Sequence, residues 1–225
     1  MTISDRRRFG FSILLVLAAA FPAASCAQGF KFSNEDKAQE VEKADRQKRI
    51  DAQLSTPCRE RVRNRKIMVL IGEDINGAVQ AKQAAFSPHF DAINARLQNL
   101  GLRTYTQEEI RKQVAQAEID AYFKNNPDAA LSAARRLAAS YTLKGLISSR
   151  AMRNPMMPVN QVAVSMQFVL TGADGKRVAQ ADAQSQSYSG ADVQGMALTL
   201  INEQAEEVVA KLYSEYCLQP ESGRK

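Results

Sequence analysis

The alternation of apolar and polar positions divides the chain into recognisable elements. Ile67-Met68-Val69-Leu70-Ile71 is a continuous apolar run, as expected of a strand buried on both faces. A polar, glycine-containing loop, Gly72 to Gln80, follows it. Ser87-Pro88 then opens a helix as an N-cap with proline at the first helical position. Phe86, Phe90, Ile93, Leu97 and Leu100 recur on one face of that helix, and Gly101 is placed to end it. Leu102 to Thr106 reads as a short strand. Thr106 and Glu109 form a capping box for a helix striped by Ile110, Val114, Ala117 and Ala121. Asn126-Pro127 starts a third helix that runs to about Ala139.

Tyr141 to Ser149 reads as the next strand. Gln161 to Thr171 carries the clearest period of two, with Val162, Val164, Met166, Phe168 and Leu170 on one face. Asp174-Gly175 is a hairpin turn signal, and Arg177 to Ser187 returns as its partner strand. A last helix covers about Ala191 to Tyr216, striped by Met196, Leu200, Ala205, Val208 and Leu212. The order β-α-β-α-α-β-β-β-α predicts one α/β domain with a mixed sheet over 67–217, followed by a flexible tail at 218–225.

The front of the chain has a different character. Arg6-Arg7-Arg8 precedes an apolar run from Phe11 to Phe21, then Pro22 and Ala23-Ala24-Ser25-Cys26-Ala27. This is the three-part pattern of a bacterial-type export signal, and its apolar run is shorter than the 20 or so residues of a spanning helix. Two processing routes fit: cleavage after residue 27, or lipidation of Cys26 after removal of 1–25. Ala23 stands where the usual lipobox has leucine, and Arg6-Arg7-Arg8-Phe9 also resembles a twin-arginine signal. Residues 28–66 are polar and charge-rich, a polar tether in which Ser33 to Leu54 reads as an exposed helix or tether. The expected location is the periplasm, either soluble or lipid-anchored to the outer membrane.

Composition narrows the function classes. Of the 225 residues, 45% are hydrophobic and 24% charged, which excludes a mostly disordered or multi-spanning chain. The signal takes three arginines and Asp5, a net +2, out of a formal +6. The remaining +4 is too little to indicate a nucleic-acid partner. Beyond the signal only Cys58 and Cys217 remain, and an even pair in an oxidising compartment predicts one disulfide.

No catalytic set is visible. His89 stands alone, so no Ser-His-Asp or Cys-His arrangement is available. The cysteines lack zinc-site spacing, Gly72 and Gly77 make no phosphate-binding fingerprint, and no carboxylate pair is singled out by spacing. No catalytic residue, cofactor or metal ligand is therefore expected. Two surface features remain as partner contacts. Met152, Met156 and Met157 form a methionine-rich loop of the adaptable kind; copper(I) binding by their thioethers is the weaker reading, since no histidine or cysteine stands beside them. Arg59, Arg61, Arg63, Arg65 and Lys66 form a basic run suited to phosphate headgroups or an acidic partner, or to plain solvation.

A buried strand at Ile67–Ile71, the helix end Leu97-Gln98-Asn99-Leu100-Gly101-Leu102, the segment Ala133 to Gly145 and the hairpin Gly172 to Val178 occur in that order. This resembles the periplasmic domains of the TolB N-terminal type, the group of the curli-secretion lipoprotein CsgG, the penicillin-binding-protein activator LpoB and the flagellar assembly protein FlgT. The resemblance covers about Ile67 to Tyr216. It implies a non-enzymatic binding or assembly role with a protein partner in the envelope, of the cell-wall-synthase-regulator or flagellar type. It also implies what is missing: the curli channel uses long hairpin insertions, whereas Met152–Asn160 and Gly172–Lys176 are too short to span an outer membrane. The alternatives are a periplasmic small-ligand or metal-binding protein and a hydrolase whose carboxylates are far apart in sequence.

Overall fold

The computed structural model describes residues 35–219 apart from 76, 84–86, 154, 155, 157 and 158. The apolar run lies in β1 (Lys66–Ile75), and its residues Ile67 to Ile71 are buried, because helices cover both faces of the sheet. The other strands are β2 (Ala78–Gln80), β3 (Arg103–Thr104), β4 (Tyr141–Arg153), β5 (Asn160–Gly172) and β6 (Arg177–Ser189). The sheet order is β2-β1-β4-β5-β6, with β3 also on β1. β1 runs parallel to β3 and β4, while β4, β5 and β6 form an antiparallel meander. The domain is therefore α/β with one mixed sheet.

The helices are α1 (Glu35–Leu54), α2 (Arg59–Val62), α3 (Ser87–Asn99), α4 (Gln107–Gln113), α5 (Gln116–Phe123), α6 (Pro127–Leu137) and α7 (Val193–Leu218). Leu97 of α3 and Val209 and Leu212 of α7 meet Ile67, Leu143 and Leu170 on one face of the sheet. On the other face, the Phe123 ring lies where a Cβ at Gly72 would be, 2.6 Å away. Lys144 reaches the same side and donates to the Tyr122 carbonyl at 3.3 Å. Close approach also explains Gly145, where an added Cβ would lie 2.3 Å from Phe168 and 2.8 Å from Ile71.

Several local signals act as the sequence implies. Thr106 and Glu109 exchange the reciprocal bonds of a capping box. Gly101 takes φ +94° just past α3, and Gly175 takes φ +82° in the β5–β6 turn.

Three readings are corrected. The helix expected from Thr106 past Ala121 is two helices. Buried Val114 is extended between them, and Glu118 accepts the Ala115 N–H at 3.0 Å to start α5. Arg136 of α6 fixes this break by donating to the Gln113 carbonyl at 3.0 Å and pairing with Glu118 at 2.5 Å. The loop expected at Gly72–Gln80 is the end of β1 and a hairpin to β2, turned where Asp74 Oδ1 accepts the Gly77 N–H at 2.7 Å. The strand expected to stop at Ser149 continues to Arg153, held by antiparallel pairing to β5 out to Arg153–Asn160.

The polar segment ahead of β1 has a tertiary role. Its helix α1 lies on α7, with Ile50 3% exposed and Arg46 and Arg49 paired to Glu203 and Glu207 at 3.9 and 2.9 Å. The first half of α1, Lys37 to Asp45, is exposed throughout. Residues 1–27, expected to be an export signal, with Cys26, lie outside the described residues, as do 220–225 of the expected tail.

Candidate functional site

The methionine-rich and basic segments do not form one site. Lys66 sits beside the start of β4, where its carbonyl accepts the Ser140 N–H at 2.8 Å. Met152 lies at the far end of the same strand, eleven residues from Tyr141, a span of about 36 Å at ~3.3 Å per residue. The two segments thus mark opposite ends of the sheet.

At the basic end, much of the charge serves the fold. Cys58 and Cys217 form a disulfide with Cα atoms 5.5 Å apart, tying α2 to the end of α7. Arg61 donates to the carbonyls of Cys217 (3.0 Å) and Gln219 (3.1 Å), and its guanidinium lies 5.0 Å from the Tyr216 ring centre. It thereby caps carbonyls that α7 leaves unpaired at its C-terminus. Arg63 pairs with Glu60 at 3.6 Å on the surface, and Arg59 is exposed. Within the basic run, Arg61 is engaged within the chain, whereas Arg59, Arg63 and Arg65 are exposed.

At the distal end, exposed apolar side chains gather. Met152 is 54% exposed and Met156 is 92% exposed; Met157 lies outside the described residues. The register sets Met152 opposite Gln161, which is opposite Tyr188, itself 56% exposed. Met152 and Tyr188 therefore share one sheet face on either side of Gln161. Ile75 and Val79, in the β1–β2 hairpin at this end, are also exposed; the register places Val79 on the face of Met152 and Ile75 on the opposite face. Residue-by-residue reading missed Ile75, Val79 and Tyr188. Two signals mark them: Asn76-Gly77 is a hairpin dipeptide that sets Ile75 beside an exposed tip, and Tyr188 continues the outward alternation of Gln184 and Gln186.

The titratable groups with perturbed environments are scattered. Burial lowers the His89 pKa, partly opposed by nearby Glu73. Burial also lowers that of Lys144, whose ammonium lies 5.0 and 5.1 Å from the Tyr122 and Phe123 ring centres. Tyr141 is raised by burial and by its hydroxyl contact with Tyr216 at 2.8 Å. His89 and Lys144 sit on different elements, and each shift arises chiefly from desolvation. Among the described residues, no three His, Cys, Asp or Glu side chains are grouped to hold a metal, and no helix is long and apolar enough to cross a membrane.

No family model and no curated protein matches this chain. Its structure is similar to several solved ones. The LpoB C-terminal domain from Salmonella enterica is 16% identical, with 63% of this chain and 95% of that chain covered and a TM-score of 0.40. A lipoprotein from Neisseria meningitidis is 17% identical, with 62% and 96% covered and a TM-score of 0.41. PelC from Paraburkholderia phytofirmans, solved as a dodecamer, is 18% identical, with 65% and 89% covered and a TM-score of 0.41.

Proposed function

We propose that this chain is an exported, non-enzymatic envelope protein that docks onto a protein partner through its distal end. The observation that carries this reading is the exposure of Val79, Met152 and Tyr188 on one face at this end of the sheet, with exposed Met156 just beyond Met152. Exposed apolar groups gathered in one region mark interaction surfaces, and methionines adapt to the shape of what they meet. Export is supported by the basic, apolar and small-residue pattern of the first 27 residues. With Cys26 lipidated, the segment leading into the exposed first half of α1 would hold the domain away from the membrane. The partner belongs to an envelope assembly, of the cell-wall-synthase or flagellar kind that the sequence resemblance implies.

The test is site-specific photo-cross-linking in native cells. A photoreactive residue at Met152 or Met156 is expected to trap one envelope protein, while the same probe at Arg59 does not. Equal capture at Arg59, or none at either methionine, would refute the assignment of the surface.

A further inference from the structure

The two edges of the sheet are treated differently. β2 is three residues long, so that edge offers little to pair with. β6 closes the other side as a strand of 13 residues. Its even-numbered residues turn their backbone groups away from β5, as Gln180 shows, because its N–H is taken by Glu215 Oε2 at 2.7 Å. The pairing with β5 is unshifted from Ala179 to Ser189, so Gln184, Gln186 and Tyr188 have the same outward orientation.

Natural sheets blunt such edges with charges, prolines, bulges or a covering element. The first half of β6 has this protection from α7, in Glu215 on Gln180 and in the Lys211–Asp182 ion pair at 3.2 Å. The register shift of the strand pair also falls there, at Leu170/Thr171. From Ala183 to Gly190 the strand has no charge, no proline and no shift.

We propose that this second half of the β6 edge pairs antiparallel with the same stretch of a second copy, about a two-fold axis at Gln186. The same patch then serves both sides, as an isologous contact requires. Gln186 meets Gln186; its Oε1 accepts from Gln161 Nε2 at 3.3 Å but has a second lone pair, and its amide N–H donates, so the pair is self-complementary. Gln184 faces Tyr188 in both directions, and no like charges are brought together. A charged partner would find no counter-charge here, which favours a copy of the same chain over an acidic or basic segment. Three pairs with outward N–H and C=O groups supply about six backbone hydrogen bonds. The axis lies three residues from the end of β6, so the copies overlap only along the unprotected half and the Lys211 and Glu215 contacts stay clear. A contact this short is smaller than a standard interface, so the association is weak and reversible.

Sedimentation velocity of the mature chain from about 1 μM to 1 mM tests this. The mass is expected to rise from one copy toward two. Gln186→Pro removes only an outward donor and leaves the β5 ladder intact, so it should hold the protein monomeric. Gln186→Lys sets two like-charged side chains on directly opposed Cα atoms about 5.5 Å apart and should weaken association at least ~10-fold. Gln186→Cys should cross-link the copies under mild oxidation, since that Cα spacing suits a disulfide. Circular dichroism and melting temperature verify that each variant folds. A single-copy mass at the highest concentration overturns the proposal. So does a dimer that survives both the proline and lysine variants.

Discussion

Reduction of the Cys58–Cys217 bridge should lower stability substantially while leaving the fold in place. The cysteines are 159 residues apart, so the cross-link closes nearly the whole domain into a loop. In the chain-entropy model a loop of that length restricts the unfolded chain by about 5 kcal/mol. The native state loses little geometry on reduction, because the same junction has other ties. Arg61 still binds the Cys217 and Gln219 carbonyls, and the Tyr213 hydroxyl still donates to the Thr56 carbonyl at 2.7 Å. The effect therefore lies mainly in the unfolded state. Urea titration with and without reductant should show a loss of about 3–5 kcal/mol, with a steeper denaturant dependence as the released chain expands. At roughly 2–4 °C per kcal/mol for a chain of this size, the melting temperature should fall by about 6–20 °C. Far-UV circular dichroism should be unchanged at 25 °C. A loss below about 1 kcal/mol, or collapse of the helical signal on reduction, would refute this account.

Other outcomes follow from single contacts. Gly145→Ala drives a Cβ into Phe168 and Ile71 and should cost about 1–3 kcal/mol in a denaturation titration. Thr106→Ala removes the capping box of α4 and should cost about 0.5–2 kcal/mol by the same measurement. Ile50→Asp removes the buried anchor of α1, so hydrogen exchange should accelerate over α1 while β4–β6 remain protected. Lys144 has a folded pKa below its unfolded value of 10.5, so its burial destabilises the protein at neutral pH. That penalty is relieved as pH rises through the folded pKa toward the unfolded one. Lys144→Met should raise the urea midpoint at pH 7, with the gain shrinking toward pH 10.5, and an unchanged gain across that range would refute the assignment.

By itself, the sequence determined what depends on local pattern. The apolar run at Ile67–Ile71 requires cover on both faces, and the period of two from Val162 to Leu170 requires cover on one. Thr106, Asn126, Gly101 and Gly175 mark caps and turns because their chemistry acts within a few residues. Beyond residue 27 only Cys58 and Cys217 remain, an even pair. Only the tertiary structure decided features set by groups far apart in the chain. Arg136 breaks the helix after Gln113 from 23 residues away, and Glu203 and Glu207 draw a polar helix onto α7 from more than 150 residues away. The same holds for the surfaces. Arg61 reads as one basic residue among several until the end of α7 arrives beside it. Met152 and Tyr188 share a face only because β4, β5 and β6 are in register. Exposure and proximity belong to the packed sheet, and a period of two gives the face of a residue but not what lies beside it.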